Sequence, residues 1–359
     1  MELIKEALTF DDVLLLPRYS SIIPSNTNLS SDISKSIKLK LPFLSSAMDT
    51  VTESKMAIAM AENGGIGIIH RNLDIKNQVN EIKKVKRKNL KVGAAIGTSK
   101  DELKRAKNLI DCGTNMIVID TAHGHSKNVL DILNKIKKFS KNTTICVGNI
   151  ATSEAAKLLY NYGADILKVG IGPGSICTTR MVAGIGVPQI TAILNVKKAM
   201  KRKNIKIISD GGIKFSGDII KAIAAGADAI MMGSIFAGTE ESPGKKFKLN
   251  NKYFKKYRGM GSIGAMSSGS SDRYFQKNFK DKSKFVPEGV ESRVIFKGPV
   301  KNIIYQLQGG LRSSMGYIGA QKLSDIQKKS KFIKITKAGF YESMVHSVEA
   351  IKDTPNYKL

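Results

Sequence analysis

The stretch TICVGNIATSEAAKLLYNYGADILKV, from Thr144 to Val169, has the pattern of two short strands separated by a helix. Both ends of the stretch are apolar and rich in β-branched residues, which is typical of buried strands in a parallel sheet. Its middle, residues 153–162, carries apolar side chains at helical spacing and follows a threonine that can cap a helix N-terminus. The stretch therefore predicts a strand–helix–strand unit, in which the helix crosses between two parallel strands.

The same alternation extends in both directions along the chain. Strict alternation over eight predicted strands indicates an α/β fold of the TIM (β/α)8 barrel type, and an open doubly wound sheet is the competing architecture. The predicted strands are residues 42–48, 66–70, 92–96, 116–120, 144–149, 166–169, 205–210 and 229–232. The predicted helices between them are residues 54–63, 75–88, 101–112, 126–139, 153–162, 189–203 and 216–225.

After the eighth predicted strand the alternation stops. Residues 240–297 are rich in glycine, serine and lysine and show little periodicity. A long irregular segment in a compact domain is usually functional, so we predict a mobile flap over residues 240–297. A last helical pattern covers residues 300–315, and a tail follows it. The prediction for the whole chain is a single catalytic barrel domain over residues 1–359.

The composition excludes several classes of protein. Of the 359 residues, 42% are hydrophobic and 25% are charged, so the chain can bury a large core and long disorder is not expected. No apolar run is long enough to cross a membrane, and the first residues, MELIKEALTF, do not resemble a signal peptide. The three cysteines are too few for a disulfide framework. We therefore expect a cytoplasmic protein.

The formal net charge of +28 raises the possibility of nucleic-acid binding. Most of the basic residues are lysines spread along the whole chain, aromatic residues are only 6%, and tryptophan is absent. Nucleic-acid sites favour clustered arginine and interleaved aromatic side chains. We therefore interpret the charge as a lysine-rich solvated surface that attracts anionic substrates, with weak and non-specific nucleic-acid binding as the alternative role.

Glycines and reactive side chains follow the predicted strands at the end where TIM barrels place their chemistry. The turns after the last two strands, Asp210-Gly211-Gly212 and Gly233-Ser234, predict a phosphate site, because glycine lets backbone N–H groups approach an anion. Ordinary tight turns are the alternative interpretation. The carboxylate of Asp210 is suited to ribose hydroxyls, or else to capping a helix.

The glycine-rich loop GIGPGSICTTR, residues 170–180, contains Cys177. Nearby N–H donors and an arginine can favour a thiolate, so Cys177 is either a nucleophile or an ordinary loop thiol. Cys112 and Cys146 fall in a helix end and a strand, and we interpret both as inert. The four histidines lack the spacing of a metal site, and GIGPGS lacks the spacing of a dinucleotide fingerprint.

Six motifs together resemble the inosine-5′-monophosphate (IMP) dehydrogenase family. They are LSSAMDTVTE, GGIGIIHRN, GIGPGSICTTR, SDGGI, MMGS and YRGMGS, in this order along nearly the whole chain. The resemblance implies a TIM-barrel oxidoreductase that uses NAD to oxidise IMP to xanthosine monophosphate (XMP), the committed step of guanine nucleotide synthesis. The family usually carries a CBS regulatory module after the second barrel helix. Here residues 85–91 form only a short junction, so no CBS domain is expected.

Guanosine-5′-monophosphate (GMP) reductase, which performs an NADPH-dependent reductive deamination of GMP to IMP, is the alternative. It shares the barrel and the cysteine loop. The motif YRGMGS and the pair Arg273-Tyr274 are dehydrogenase features, so they favour IMP oxidation.

The resemblance also implies roles for individual residues. Cys177 attacks the purine and forms a covalent thioimidate after hydride transfer. A water molecule then hydrolyses the thioimidate, activated by Arg273 of the flap or by a relay of Thr179 and Glu288. The implied catalytic residues are Cys177, Arg273, Tyr274, Thr179 and Glu288. The implied substrate-binding residues are Ser46, Met48, Ser175, Asp210, Gly211, Gly212, Gly233, Ser234, Tyr257, Gly259, Met260, Gly261 and Glu288.

The remaining implied ligands are NAD and a monovalent cation. The implied NAD-binding residues are Asp120, Thr121, Asn149, Gly170, Ile171 and Gly172. The implied K⁺ ligands are carbonyls of Gly172, Gly174, Cys177, Glu342, Ser343 and Met344. Carbonyl ligands without clustered carboxylates suit K⁺ better than a divalent ion. The last three carbonyls would come from a neighbouring subunit, which implies a homotetramer.

Overall fold

Eight parallel strands close into a barrel in the computed structural model, which describes residues 6–274, 276, 281–348 and 354. The predicted TIM barrel is therefore confirmed, and the open sheet was the wrong alternative. The predicted flap and the predicted single domain each include residues that are not among these, and that part of the two predictions lies outside the described residues. The barrel strands are β1 Phe43–Ser45, β2 Ile66–Ile69, β3 Val92–Ile96, β4 Met116–Asp120, β5 Thr144–Ile150, β6 Ile166–Val169, β7 Lys206–Asp210 and β8 Ala229–Met232.

Helices surround the barrel and follow the predicted positions closely. Two differ clearly at their ends. The helix predicted to reach residue 203 stops at Ala199, where the N–H of Met200 bonds back to the last turn, and the helix predicted over residues 300–315 continues to Ile318. The second helix ends at Lys86 and β3 begins at Val92, so no further domain lies between them. The barrel helices are α1 Ser54–Glu62, α2 Ile75–Lys86, α3 Glu102–Asp111, α4 Lys127–Phe139, α5 Ser153–Asn161, α6 Gln189–Ala199, α7 Ser216–Ala225 and α8 Val300–Ile318.

Apolar packing closes the amino end of the barrel and leaves the carboxyl end open. A short antiparallel pair, Ser31–Asp32 with Lys38–Leu39, carries the buried residues Ile33 and Ile37 into contact with the first residues of the barrel strands. A second apolar layer fills the space between strands and helices. The polar residues at the carboxyl ends of the strands therefore face a cleft.

The segment after β8 is more regular than the sequence suggested. Three antiparallel strands, Phe247–Leu249, Lys252–Arg258 and Glu291–Ile295, form a small sheet within the predicted flap. The first two are joined by Asn250 and Asn251, whose φ angles are 46° and 59°. Two-residue hairpin turns commonly have positive φ angles at both residues. The expectation of an irregular segment was wrong because these strands are mostly exposed, so they show almost no hydrophobic alternation.

The tail after α8 folds back onto the start of the chain. Two short helices, Leu323–Lys329 and Lys337–Glu342, flank the strand Phe332–Lys334. This strand pairs antiparallel with Val13–Leu15. Within the part of the chain that the structure describes, we find no helix with both the length and the apolar character needed to cross a bilayer.

Candidate active site

A cleft of about 1010 Å³, including its open mouth, lies over the carboxyl ends of the strands. It is bounded by the strand ends, by the loop that follows β6 and by the flap. Most of the residues predicted for the site line this cleft. They are Ser46, Met48, Asp120, Asn149, Gly170, Ile171, Gly172, Gly174, Ser175, Cys177, Thr179, Asp210, Gly211, Gly212, Gly233, Ser234, Tyr257, Gly259, Met260, Arg273, Tyr274 and Glu288.

The other predicted residues do not line the cleft. Thr121 is buried, and its hydroxyl donates to the carbonyl of Gly148 over 2.9 Å. Gly261 accepts a hydrogen bond from the N–H of Glu288 through its carbonyl. The predicted K⁺ ligands Glu342, Ser343 and Met344 are exposed, and the helix Lys337–Glu342 that leads to them packs near the chain start.

The loop that carries Cys177 is held by backbone bonds to the flap. The sulfur of Cys177 lies 3.2 Å from the hydroxyl of Thr179. The N–H of Thr178 donates to the carbonyl of Glu288 over 3.0 Å, and the N–H of Val290 donates to Ile176 over 3.1 Å. The flap segment before the strand Glu291–Ile295 therefore brings Glu288 to the same side of the cleft as the thiol.

A buried lysine forms the charged centre of the site. The ammonium of Lys168, in β6, lies 2.9 Å from a carboxylate oxygen of Asp120 and 2.8 Å from one of Asp210. It also donates to the side-chain oxygen of Asn149. Burial alone would lower the pKa of Lys168, but the two carboxylates outweigh burial and raise it. The lysine therefore remains charged and fixes both carboxylates.

Sequence reasoning did not select Lys168. Its signal was available, because it is a charged residue inside the apolar run Ile166–Val169. A lysine in such a run is seldom buried without a charged partner. The structure excludes one of the two interpretations of Asp210, and its role toward a ribose stays a prediction. Helix α7 begins at Ser216 with Phe215 at its cap position, so Asp210 does not cap that helix.

The flap places Arg273 against the same centre. Its guanidinium pairs with the second carboxylate oxygen of Asp120, and its carbonyl accepts from the N–H of Ala122. Burial would lower the pKa of Arg273, but the charge of Asp120 raises it above its ordinary value. Burial also opposes ionisation of Asp120, yet Arg273 and Lys168 lower its pKa to about 2. All three groups are therefore charged in this arrangement.

The opposite end of the cleft is formed by the turns after β7 and β8. Tyr257 is buried there, and burial raises the pKa of its hydroxyl to about 12, so that it is a neutral hydrogen-bond donor. Lys297 donates to the carbonyls of Ser234 and Ile235 over 2.7 and 2.9 Å, which fixes the turn after β8. This end combines glycine turns with hydroxyl groups, the chemistry expected of a phosphate site.

An ion pair anchors the root of the flap. Arg258, at the end of the middle flap strand, donates to both carboxylate oxygens of Asp49, with a shortest distance of 2.6 Å. Asp49 also accepts from the side chain of Asn72 over 3.0 Å. The motifs containing these residues were recognised in the sequence, but their contact was not predicted.

Comparisons with known proteins agree with this geometry. A family profile described as "IMP dehydrogenase / GMP reductase domain" matches residues 7–346. The chain belongs to this family. The resemblance noted in the sequence is therefore confirmed. The IMP dehydrogenase / GMP reductase fold accounts for the barrel and for the cleft at its carboxyl end.

Several proteins named inosine-5′-monophosphate dehydrogenase are similar to this chain. One from Cryptosporidium parvum is 48% identical over 397 residues, covering 99% of this chain and 98% of that protein. One from Borreliella burgdorferi is also 48% identical over 397 residues, covering 97% and 98%. One from Aquifex aeolicus is 40% identical over 483 residues, covering 99% and 98%. Because the last alignment is much longer than this chain, the Aquifex protein contains segments that this family member lacks.

Proposed function

We propose that this chain is an IMP dehydrogenase, which converts IMP, NAD and water to XMP, NADH and a proton in the committed step of guanine nucleotide synthesis. The observation that carries the proposal is the meeting of Cys177 with the flap residues Arg273 and Tyr274 in one cleft. Similarity to proteins named as IMP dehydrogenases over nearly their whole length supports this activity over GMP reduction.

The substrate fits the cleft with its phosphate at the turns of Gly212, Gly233 and Ser234. Ser175 and Tyr257 add hydroxyl donors at this end. Asp210 accepts hydrogen bonds from the ribose, while Lys168 keeps its carboxylate charged and in place. Met260 and Glu288 then lie along the base. This placement orients the purine toward the cysteine loop.

In the first chemical step, the thiolate of Cys177 adds to C2 of the purine and a hydride leaves that carbon. NAD, bound as co-substrate, supplies the hydride acceptor. The carbon then remains joined to sulfur as a thioimidate, so one difficult displacement becomes two easier steps. Asp120 suits the hydroxyls of a cofactor ribose, but Lys168 and Arg273 already occupy its two oxygens. The cofactor therefore fits only when Arg273 has left, and the flap and NAD use the site in turn.

In the second step, water adds to the thioimidate carbon, the carbon–sulfur bond breaks and one proton leaves. Arg273 is charged while it pairs with Asp120, which opposes a role as base in this arrangement. Thr179 lies beside the thiol, and Glu288 faces the same cleft. We therefore assign the proton to Thr179 and Glu288, while Arg273, kept in the cleft by its ion pair with Asp120, positions the water. Tyr274 fills the site beside Arg273 and excludes bulk water.

A K⁺ site and a homotetramer form the finer part of the proposal. The loop carbonyls of Gly172, Gly174 and Cys177 are oxygen donors of the kind that suits K⁺. Among the described residues no cluster of histidine, cysteine or carboxylate side chains has the arrangement of a metal site. The exposed Glu342, Ser343 and Met344 would complete the shell from a neighbouring subunit. The three cysteines are unpaired, which supports placement in the cytoplasm.

The assay is to mix the protein with IMP, NAD and KCl and to follow NADH by absorbance. We expect NADH to form, and its rate to fall when K⁺ is omitted. Cys177→Ala should abolish turnover while IMP still binds. Arg273→Ala should give a burst of NADH followed by little further turnover. Oxidation of NADPH with GMP, without NADH from IMP, would instead identify a GMP reductase.

A further inference from the structure

A second ion pair joins the flap to the barrel next to the catalytic arginine. Asp272 directly precedes Arg273, and its carboxylate faces the guanidinium of Arg71, which lies two residues after β2. The two Asp272 oxygens lie 2.8 and 3.1 Å from Nη1 of Arg71. The side chains are only 6% and 12% exposed, so water screens the pair weakly.

The barrel leaves space for this pair at Gly97, directly after β3. A Cβ atom at Gly97 would lie 2.8 Å from both Nη1 of Arg71 and Oδ2 of Asp272. The φ angle of Gly97 is outside the left-handed region, so the requirement here is one of space rather than of backbone conformation. A side chain at this position would push the two charged groups apart.

Arg71 depends on the flap for its charge partner. Its Nη2 atom is buried and has no hydrogen-bond partner among the described residues, and Asp272 is the carboxylate paired with its guanidinium. Removing one member of a buried ion pair leaves an uncompensated charge, which is costly. The closed position of the flap is therefore favoured by Asp272 independently of the contact between Arg273 and Asp120.

We propose that the Arg71–Asp272 pair is a latch that sets how often the flap is closed, and that Arg71, Asp272 and Gly97 are positioning residues for Arg273. The inference rests on the proposed function. A weaker latch releases Arg273 from Asp120, the carboxylate that the cofactor ribose also needs. Hydrolysis then slows because Arg273 is absent more often, while NAD binds better because its competitor is absent.

The test uses Asp272→Asn, Arg71→Gln, the double variant and Gly97→Ala, which separates the pair without removing a charge. Asp101→Asn is the matched control. Asp101 borders the same surface hollow as Arg71 and Asp272, but its side chain makes no cap hydrogen bond. The substitution Asp101→Asn removes the same charge as Asp272→Asn. Three quantities are measured: the NADH burst, the steady-state kcat and the KM for NAD. Tryptic cleavage after Arg273, whose side chain is only 14% exposed in the closed position, reports the flap without any substrate.

We expect an unchanged burst, a fall in kcat of about tenfold, a lower KM for NAD and faster tryptic cleavage in each latch variant. The double variant should lose no more than the single variants, because both remove one interaction. Asp101→Asn should behave like the wild type. Wild-type kcat and tryptic cleavage in Asp272→Asn and Gly97→Ala would overturn the latch. An inactive wild type with the expected change in cleavage would instead overturn the proposed function alone.

Discussion

At the scale of single residues, the three cysteines differ because their surroundings differ. Cys146 is fully buried in β5, and burial raises the pKa of its thiol to about 12. Burial also raises the pKa of the half-buried Cys112. Cys177 instead lines the open cleft. Because the thiolate is the reactive form and must be reached by a reagent, only one of the three has the setting of a nucleophile.

We predict that iodoacetamide at about pH 8 labels Cys177 in the folded protein long before Cys146, since Cys146 is buried and protonated at that pH. Peptide mass spectrometry measures the label at each site. IMP should protect Cys177, and Cys177→Ala should remove most of the early label. Equal labelling of Cys146 and Cys177 in the native protein would contradict the assignment.

At the scale of elements, the small flap sheet depends on its hairpin turn. Asn250 and Asn251 both have positive φ angles, and Leu249 pairs directly with Lys252 across the turn. Asparagine and glycine tolerate this conformation better than other residues. The middle strand Lys252–Arg258 carries both Tyr257 of the proposed phosphate end and Arg258 of the flap root. The turn therefore helps to place two parts of the site.

We predict that Asn251→Ala weakens the sheet by about 1 kcal/mol, because alanine disfavours a positive φ angle. Asn251→Gly should strengthen it slightly, since Asn-Gly is the preferred pair for this kind of hairpin. Hydrogen exchange of the amides in Lys252–Arg258 measures the effect, as faster exchange for alanine and slower exchange for glycine. If the amides of both variants exchange at the wild-type rate, the turn does not stabilise the sheet in this way.

At the scale of the whole molecule, buried charges join distant parts of the barrel. Asp120 in β4, Lys168 in β6 and Asp210 in β7 form one cluster, and Arg273 adds the flap to it. These groups are partners of one another, so each offsets the cost of burying the next. The cluster therefore couples protonation to the stability of the fold.

We predict an acid-sensitive contribution to folding from Asp120. Its pKa is lowered from 3.8 to about 2 in the folded protein, so its carboxylate stabilises the fold above about pH 4 and loses this effect as the pH falls through about 2. The contribution at neutral pH is about 2 kcal/mol. Asp120→Asn should lower the free energy of unfolding in urea by about that amount at neutral pH, and the difference should vanish near pH 2.

Asp131 provides the control for this measurement. It is an exposed carboxylate on α4, so Asp131→Asn should leave the free energy of unfolding nearly unchanged at every pH. A difference between Asp120→Asn and the wild type that stays constant from neutral pH to pH 2 would show that Asp120 does not act through its charge.

Local pattern was enough to predict the barrel and most of the residues in the cleft. The apolar runs Val92–Ile96 and Met116–Asp120 are strands in the structure with the predicted ends. A barrel strand is buried on both faces, so its own side chains are almost all apolar and mark its position in the sequence. The carboxyl ends of all eight strands meet at one rim. A reactive residue that follows a strand, such as Cys177, is therefore placed by topology alone.

Contacts between distant segments needed the tertiary structure. Arg71 and Asp272 are 201 positions apart, and Lys168 is 48 positions from Asp120. Periodicity and strand order fix which side chains stand at the rim of the barrel, so these side chains could be predicted from the amino-acid sequence. Only the folded chain decided which of them pair, because an ion pair depends on distances of a few ångströms that barrel closure and flap position set together.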